Sequence, residues 1–398
     1  MGHERYRTVR EWNLSSASTK LERIRDGAVY VVNFLEHWRE WLHPARADEV
    51  EIADVKLNES DLHEEGVGVI QVKFKKPQGP VGHKFQDDEE IDVMIKPEDK
   101  SLEENLLGDS EGSVANQINE IVGLDDPDEM LTTIKMKSDE DYGSLVELVK
   151  GSSAKDVVED DLDRPIKQAF HETLVFAFLT GMDDLHKENV FWHEGRPYLI
   201  DADNVLISNQ MEMWGPGESS QSGFGTSYDL EETDKNKAAI KSGNNPVNSK
   251  LLDAMLTEPL KRTAILTAIK DAITGKKGRV VPIQTQFWEG QVGSWANYKA
   301  ENLLDMFSSE GFMVREGKGF ESTQGPGLAG VVSKNDAKLF FNPAAERAQI
   351  KADFEAGVIP FYEHDYDTGF VTHNKTKIHH GQTLEQGIQF MLDKFTPE

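Results

Sequence analysis

Apolar and polar residues alternate over residues 48–57 (DEVEIADVKL) and 66–75 (GVGVIQVKFK), the period-two pattern of strands with one face buried. Residues 91–96 (IDVMIK) predict a third short strand, and the Pro, Gly and charge of residues 76–90 predict a hairpin loop before it. A helix follows over 113–123 (SVANQINEIVG), then an acidic turn at Asp125, Asp126, Pro127 and Asp128, then a strand pair near 131–149. Residues 1–45 read as helical and aromatic, with Trp12, Phe34, Trp38 and Trp41 forming a packing layer. The first 150 residues thus predict a small antiparallel sheet with helices. Residues 151–163 (GSSAKDVVEDDLD) are a Gly, Ser and Asp-rich connector. Beyond it, Ile166, Phe170, Leu174, Ala177 and Phe178 recur at helical spacing, with Asp163 as N-cap and Pro165 in the first turn. Residues 208–250 are rich in Ser, Gly and Asn and predict a loop, and helices are expected near 249–273. The last hundred residues predict a separate α+β unit, with helices near 296–309 and 383–395. Thr383 and Gln386 provide a capping-box start for the last of these.

Composition narrows the function classes. The chain has 398 residues, 43 Lys and Arg against 71 Asp and Glu, and a formal net charge of -28. Nucleic acids and anionic membranes both select for clustered positive charge, so neither is an expected partner. Cysteine is absent, which excludes disulfides, thiolate catalysis and Cys-ligated zinc. The first residues show no apolar signal segment, and Tyr6 breaks a myristoylation pattern. The longest apolar stretch, Thr173 to Met182, is too short to span a bilayer. A soluble, cytoplasmic protein is the expectation.

The densest chemistry lies in residues 183–204, DDLHKENVFWHEGRPYLIDADN. Asp184 precedes Asn189 in the form D-L-x-x-x-N, and Asp201 ends the short apolar run Tyr198-Leu199-Ile200. This is the layout of protein kinases, in which the first Asp lies beside the substrate hydroxyl while the Asn and the strand-end Asp hold Mg²⁺ on the ATP phosphates. A tight loop returns the Asn to the metal, and a hairpin delivers the second carboxylate. Upstream, Val93-Met94-Ile95-Lys96 matches the strand whose Lys contacts the α- and β-phosphates. Its acidic partner is open between Glu104, Glu111 and Glu120. The third motif is D-A-D rather than D-F-G, the Gly-rich loop is reduced to Gly66-Val67-Gly68, and A-P-E is missing, so a conventional protein kinase is not expected.

The chain more closely resembles the dehydratase domain of class II lanthipeptide synthetases. Five motifs fall in that family's order across residues 61–288. They are Asp61-Leu62-His63-Glu64-Glu65-Gly66, Ile95-Lys96-Pro97, Asp184-Leu185-His186-Lys187-Glu188-Asn189, Leu199-Ile200-Asp201-Ala202-Asp203-Asn204, and Arg279 through Thr285 to Trp288. The resemblance implies an α+β, bilobal fold like that of protein and lipid kinases, with an additional C-terminal α+β region. Residues 1–150 would be the N-terminal lobe carrying the nucleotide-binding Lys. Residues 151–290 would be the catalytic lobe with the metal-binding loops, and 291–398 an accessory region. It also implies ATP and Mg²⁺ as cofactors and a peptide or protein with Ser or Thr as substrate. The hydroxyl is phosphorylated, and phosphate is then eliminated to leave a dehydroamino acid. In those terms Asp184 acts on the hydroxyl with His186 beside it. Asn189, Asp201 and Asp203 hold the metal and Lys96 grips the phosphates. Asp61, His63, Arg279 and Thr285 serve elimination, which needs a base and donors on the leaving phosphate.

Three departures bear on elimination. Ile283 stands where the family has a second Arg, Trp288 where it has Tyr, and Glu98 where it has the Arg after Lys-Pro. No zinc cyclase domain is expected, so ring closure is not. Two other readings stand beside this one: a kinase-only enzyme acting on a protein partner, and a scaffold that binds nucleotide or peptide without turnover. Blander roles exist for individual residues. His63 would suit a surface turn, and Arg279 and Thr285 a strand paired with acidic neighbours and water. His364, Asp365, Asp367, His373, His379 and His380 follow no metal-ligand spacing and suit solvated loops. The acidic run ending at Glu90 would be a solvated hairpin or a lure for a basic substrate segment.

Overall fold

A computed structural model describes residues 37–42, 47–57, 69–75, 90–96, 99–139, 143–149, 151–153, 168–182, 185, 189–193, 195–202, 205, 242–245, 248–280, 312–315, 319–322, 362–373, 376–380 and 383–395. Over these residues the protein is mixed α+β. Its largest sheet has five antiparallel strands in the order β1-β2-β3-β5-β4. These are β1 (Glu51–Leu57), β2 (Ile70–Lys75), β3 (Glu90–Lys96), β4 (Met136–Asp139) and β5 (Gly143–Glu147). β2 and β3 pair from Lys75↔Glu90 to Ile70↔Ile95, which closes the expected hairpin. The loop itself lies outside the described residues.

Alternation along β3 decides what each face of this sheet does. Ile91, Val93 and Ile95 point to one side, where they meet Ile70, Val72, Phe74, Leu145 and the aromatic layer of Trp38 and Leu42 from residues 37–42. Asp92, Met94 and Lys96 therefore point to the other side. Near the mouth of the hairpin, Lys73 pairs with Glu90 at 3.3 Å and with Asp92 at 3.6 Å, so one ammonium is shared by two carboxylates within the sheet.

Between β3 and β4 lie helices α1 (Ser101–Leu107) and α2 (Val114–Val122). The ends of α2 are written in its sequence. Ser113 caps it by accepting from the Asn116 N–H at 3.4 Å, and Gly123 stops it in the left-handed region at φ 83°. Leu102, Leu106, Val114 and Ile118 do not pack into the aromatic layer. They join a second, larger core with α3 (Gln168–Thr180), α4 (Lys250–Thr257) and α5 (Pro259–Ile273). Helix α3 is buried almost all round, as the apolar run from Leu174 to Leu179 favours, and Phe170 stacks on Trp192 with centroids 5.7 Å apart. Its apolar run is core: among the described residues no helix is long and apolar enough to cross a membrane.

A short β6 (Ser152–Ser153) pairs with the hairpin of β7 (Val190–His193) and β8 (Arg196–Leu199), whose turn uses Gly195 at φ 77°. Strand β9 (Lys277–Val280) follows α5 and takes up β12 (Tyr362–Asp365), β13 (Phe370–His373) and β14 (Thr376–His380) in a four-stranded sheet. A separate pair joins β10 (Phe312–Arg315) to β11 (Gly319–Ser322). The chain ends on α6 (Leu384–Phe395), and both arms of its capping box are made. Thr383 N donates to Gln386 Oε1 at 2.9 Å and Gln386 N to Thr383 Oγ1 at 3.3 Å. The described part of the last hundred residues is joined to what precedes it. Tyr366, Leu384 and Met391 are buried in the larger core. The helix expected near 296–309, the cap at Asp163 and most of the loop 208–250 lie outside the described residues.

One buried carboxylate holds the larger core together. Glu172 of α3 is fully buried and accepts from Gln168 Nε2 (3.0 Å), Ser249 Oγ (2.8 Å), Lys250 N (2.8 Å) and Leu251 N (3.0 Å). It satisfies the otherwise unpaired first N–H groups of α4 and sits where the helix dipole favours negative charge. Glu172→Ala leaves those donors buried and unpaired, so it should lower unfolding free energy by about 3 kcal/mol in urea titrations. Glu172→Gln, which keeps an acceptor, should lose about half of that.

Candidate active site

The site forms where the second face of the five-stranded sheet meets the β7–β8 hairpin. Val146 of β5 lies beside Met94 in register and, with Met136 and Ile134, makes a small apolar cluster against which Tyr198 and Ile200 pack. Docking Ile200 on this face carries the next residue, Asp201, to Lys96. The two side chains meet in an ion pair, Lys96 Nζ donating to Asp201 Oδ1. Asn189 stands at the same end of the hairpin, its carbonyl accepting from Ile200 N at 2.9 Å. The hairpin backbone therefore puts Asn189 across from Ile200, one residue before Asp201. Asp201 has φ 55°, in the left-handed region that non-glycine residues seldom occupy, and Asp is among the residues that tolerate it best.

Two charged residues that the sequence reading did not single out complete the site. Lys100, only 1% exposed, reaches Asp201 Oδ1 at 3.4 Å, so one carboxylate oxygen faces two ammonium groups. Glu103 of α1 is fully buried and acts electrostatically on Lys96. It is Glu103, and not Glu104, Glu111 or Glu120, that supplies the buried acid nearest in effect to Lys96. Glu104 is committed elsewhere, accepting from Lys137 Nζ at 2.9 Å and Ser138 N at 2.8 Å. Glu111 and Glu120 are exposed. A sequence signal for Glu103 did exist. It has Leu106 and Leu107 three and four residues on, which places it on the apolar face of α1.

Backbone ties set this geometry. Ser144, opposite Lys96 in the β3–β5 register, accepts from Lys100 N at 2.8 Å and donates to Ser138 Oγ at 3.0 Å. Glu104 anchors the first turn of α1 to β4, which turns Glu103 inward. On the far side, Tyr366 donates to the Val205 carbonyl at 3.0 Å, fixing the chain four residues beyond Asp201.

Burial on its own would lower the Lys96 pKa. The carboxylates of Asp201 and Glu103 outweigh it, against opposition from Lys100, and hold the ammonium above the ordinary lysine value. The Asp201 carboxylate is a hard ligand of the kind that suits Mg²⁺ rather than a thiolate-seeking metal. Among the described residues no group of three or more His, Asp or Glu gathers as a metal cage. In the C-terminal histidine-rich stretch, His364 is buried against the Tyr366 ring at 4.6 Å and Asp365 accepts from Thr368 N at 3.0 Å.

Arg279 lies on β9, where its register partner is Glu363 of β12. Asp61, His63, Asp184, His186, Asp203 and Thr285 lie outside the described residues.

The Lys96 interactions predict a pH dependence. A raised folded pKa means the added stability is complete below 10.5, the ordinary value, and disappears as pH rises through the folded value. The stability difference between wild type and Lys96→Met should therefore be flat over about pH 6 to 9 and shrink only in stronger alkali. Denaturant titrations across that range check it, and a difference that shrinks on acidification from neutral pH would contradict it.

Set against known proteins, the chain matches no family model and no curated protein, so the reading of this site rests on its own residues.

Proposed function

We propose that the protein is an ATP- and Mg²⁺-dependent phosphotransferase acting on Ser or Thr of a peptide or protein, on a bilobal, kinase-like fold. The observation that carries this is the meeting of Lys96, from a central sheet strand, with Asp201, from the end of a β-hairpin, beside the buried Glu103. A buried lysine balanced between two carboxylates from separate elements is an expensive arrangement for stability alone. It is a useful one for holding a polyphosphate next to a metal-binding carboxylate.

In this role Lys96 binds phosphate oxygens, and Asp201 with Asn189 holds the cation. Bound Mg²⁺ would neutralise charge developing on the transferred phosphoryl group. Asp184 orients the acceptor hydroxyl and takes its proton, with His186 beside it and Asp203 supporting the metal. The sheet order β1-β2-β3-β5-β4, with helices between β3 and β4, supports a nucleotide-holding first lobe. Elimination of the phosphate is the proposed second step, assigned to Asp61, His63, Arg279 and Thr285 through the motif resemblance.

Mass spectrometry of Ser- and Thr-containing peptides incubated with the protein, ATP and Mg²⁺ tests both steps. Phosphorylation adds about 80 Da and completed dehydration removes about 18 Da from the peptide. Asp201→Ala should abolish either change, by a factor of about 10³ or more in rate. Peptides unchanged by wild-type protein that still binds nucleotide would replace the enzyme reading with that of a binding scaffold.

A further inference from the structure

The hairpin that carries Asp201 is packed on both faces and held along both edges. Trp192 and Leu199 turn into the larger core, and Tyr198 and Ile200 turn onto the sheet cluster. Apolar contacts of this kind carry no direction, so by themselves they let a strand shift along its length. On its β7 edge the hairpin pairs with β6. β8 is the outer strand of that described sheet, and side chains hold its other edge. Thr132, only 5% exposed, donates from Oγ1 to the Pro197 carbonyl at 2.6 Å. Arg196 adds a weaker tie, Nη2 donating to the Met130 carbonyl at 3.4 Å. Thr132 is itself held. Asn119 of α2 brackets the preceding residue, accepting from Leu131 N at 2.9 Å and donating to the Leu131 carbonyl at 3.1 Å. Two residues further on, Ile134 belongs to the cluster on which Tyr198 and Ile200 sit. A buried run of hydrogen bonds thus leads from α2, rooted in the larger core, to a strand position four residues before Asp201.

We infer that Thr132 is a positioning residue for Asp201: its hydroxyl fixes β8 along its own axis and so sets where the carboxylate stands. This rests on reading Asp201 as the metal-holding carboxylate of a phosphotransferase. In that reading Lys96 turns toward phosphate when nucleotide binds, so its pairing with Asp201 loosens at the moment when the carboxylate must hold the metal. The Thr132 bond is uncharged, buried and takes no part in that exchange. It adds a fixed point on the backbone that persists while the charges rearrange. A valine in its place keeps the size and branching of the side chain, removes the donor and leaves a buried carbonyl unpaired, which favours a shift of β8 toward another donor. Mg²⁺ demands near-ideal octahedral geometry, so a carboxylate carried off its place by such a shift binds it less well.

The test uses the full chain with ADP, and Mn²⁺ as probe, free Mn²⁺ being followed by electron paramagnetic resonance. The site is defined as the class of Mn²⁺ binding lost in Asp201→Ala, which separates it from adventitious binding to an acidic surface. Thr132→Val should keep a cooperative urea transition yet bind this Mn²⁺ about tenfold more weakly per folded molecule. Its kcat in the peptide assay should fall by about tenfold with KM for the peptide unchanged. Thr132→Ser, which keeps the hydroxyl, should bind Mn²⁺ within about twofold of wild type. A threonine with a purely structural role would lower the urea midpoint and leave the Mn²⁺ affinity of the folded protein unmoved. That result in Thr132→Val overturns the inference and leaves the phosphotransferase reading standing. Thr132→Ser as weak as Thr132→Val also overturns it, by assigning the effect to the methyl group. No Asp201-dependent Mn²⁺ binding in wild type overturns the inference together with the metal-holding role of Asp201. If Thr132→Val does not fold, Thr132→Ala, whose smaller side chain leaves room for water on the Pro197 carbonyl, carries the same test with the same expected weakening, and wild-type affinity in it refutes the positioning role.

Discussion

The structure turns on the ion pairs by which Lys96 and Lys100 meet Asp201 where the sheet and the hairpin dock. Lys96 and Lys100 come from the end of β3 and the approach to α1, Glu103 from α1, and Asp201 from the end of the hairpin. The two lysines would be costly to bury alone, and their pairing with Asp201 forms only when the sheet and the hairpin dock. The apolar contacts of Ile200 and Tyr198 with Met136 and Val146 bring the surfaces together without regard to register. The ion pairs supply the register, because they reward one placement of Asp201 and penalise its neighbours. The same few interactions thus join the sheet to the hairpin and fix the place of Asp201.

Much of the surrounding structure serves to keep those charges in place. Ser144, Ser138, Glu104 and Lys137 tie the start of α1 to β4 and β5, and so choose which glutamate faces inward. Asp201 adopts a left-handed backbone at a conformational cost of about 1 kcal/mol. Beyond it, Ala202 and Val205 are buried and the Val205 carbonyl is held by Tyr366. The short connection after the hairpin is accordingly pinned on both sides, which is what a residue meant to present a carboxylate at a fixed angle requires.

Local rules made much of this legible. Period-two alternation located β1, β2 and β3, and the capping box of Thr383 and Gln386 located the start of the last helix, because those signals act over a few residues. The meeting of Lys96 and Asp201 was legible from motif order. Lys100 was not, and the local signal for Glu103, Leu106 and Leu107 three and four residues on, is weak beside the other charges of the same turn. Glu103 and Glu104 differ by one helical step, and the choice between them is made by Lys137 and Ser138 more than thirty residues away. The attachment of the C-terminal strands was hidden for a similar reason. β12 finds β9 through backbone hydrogen bonds that leave no trace in side-chain pattern, and what closes the match is the fit of Tyr366 over Gly278.

That fit gives the C-terminal segment a consequence for the site. A Cβ on Gly278 would overlap the Tyr366 hydroxyl, so the ring can lie across β9 only because that residue is glycine. The hydroxyl, placed there, holds the Val205 carbonyl. The path from β9 through Tyr366 to Val205 then ends four residues from Asp201. Strands separated from the hairpin by most of the chain's second half therefore constrain the same carboxylate that the two lysines grip from the sheet side. With its backbone held from one direction and its charge from the other, Asp201 has little freedom to move alone. In the proposed reaction, passage of Lys96 from Asp201 to phosphate would then proceed by movement of the lysine side chain rather than of the aspartate.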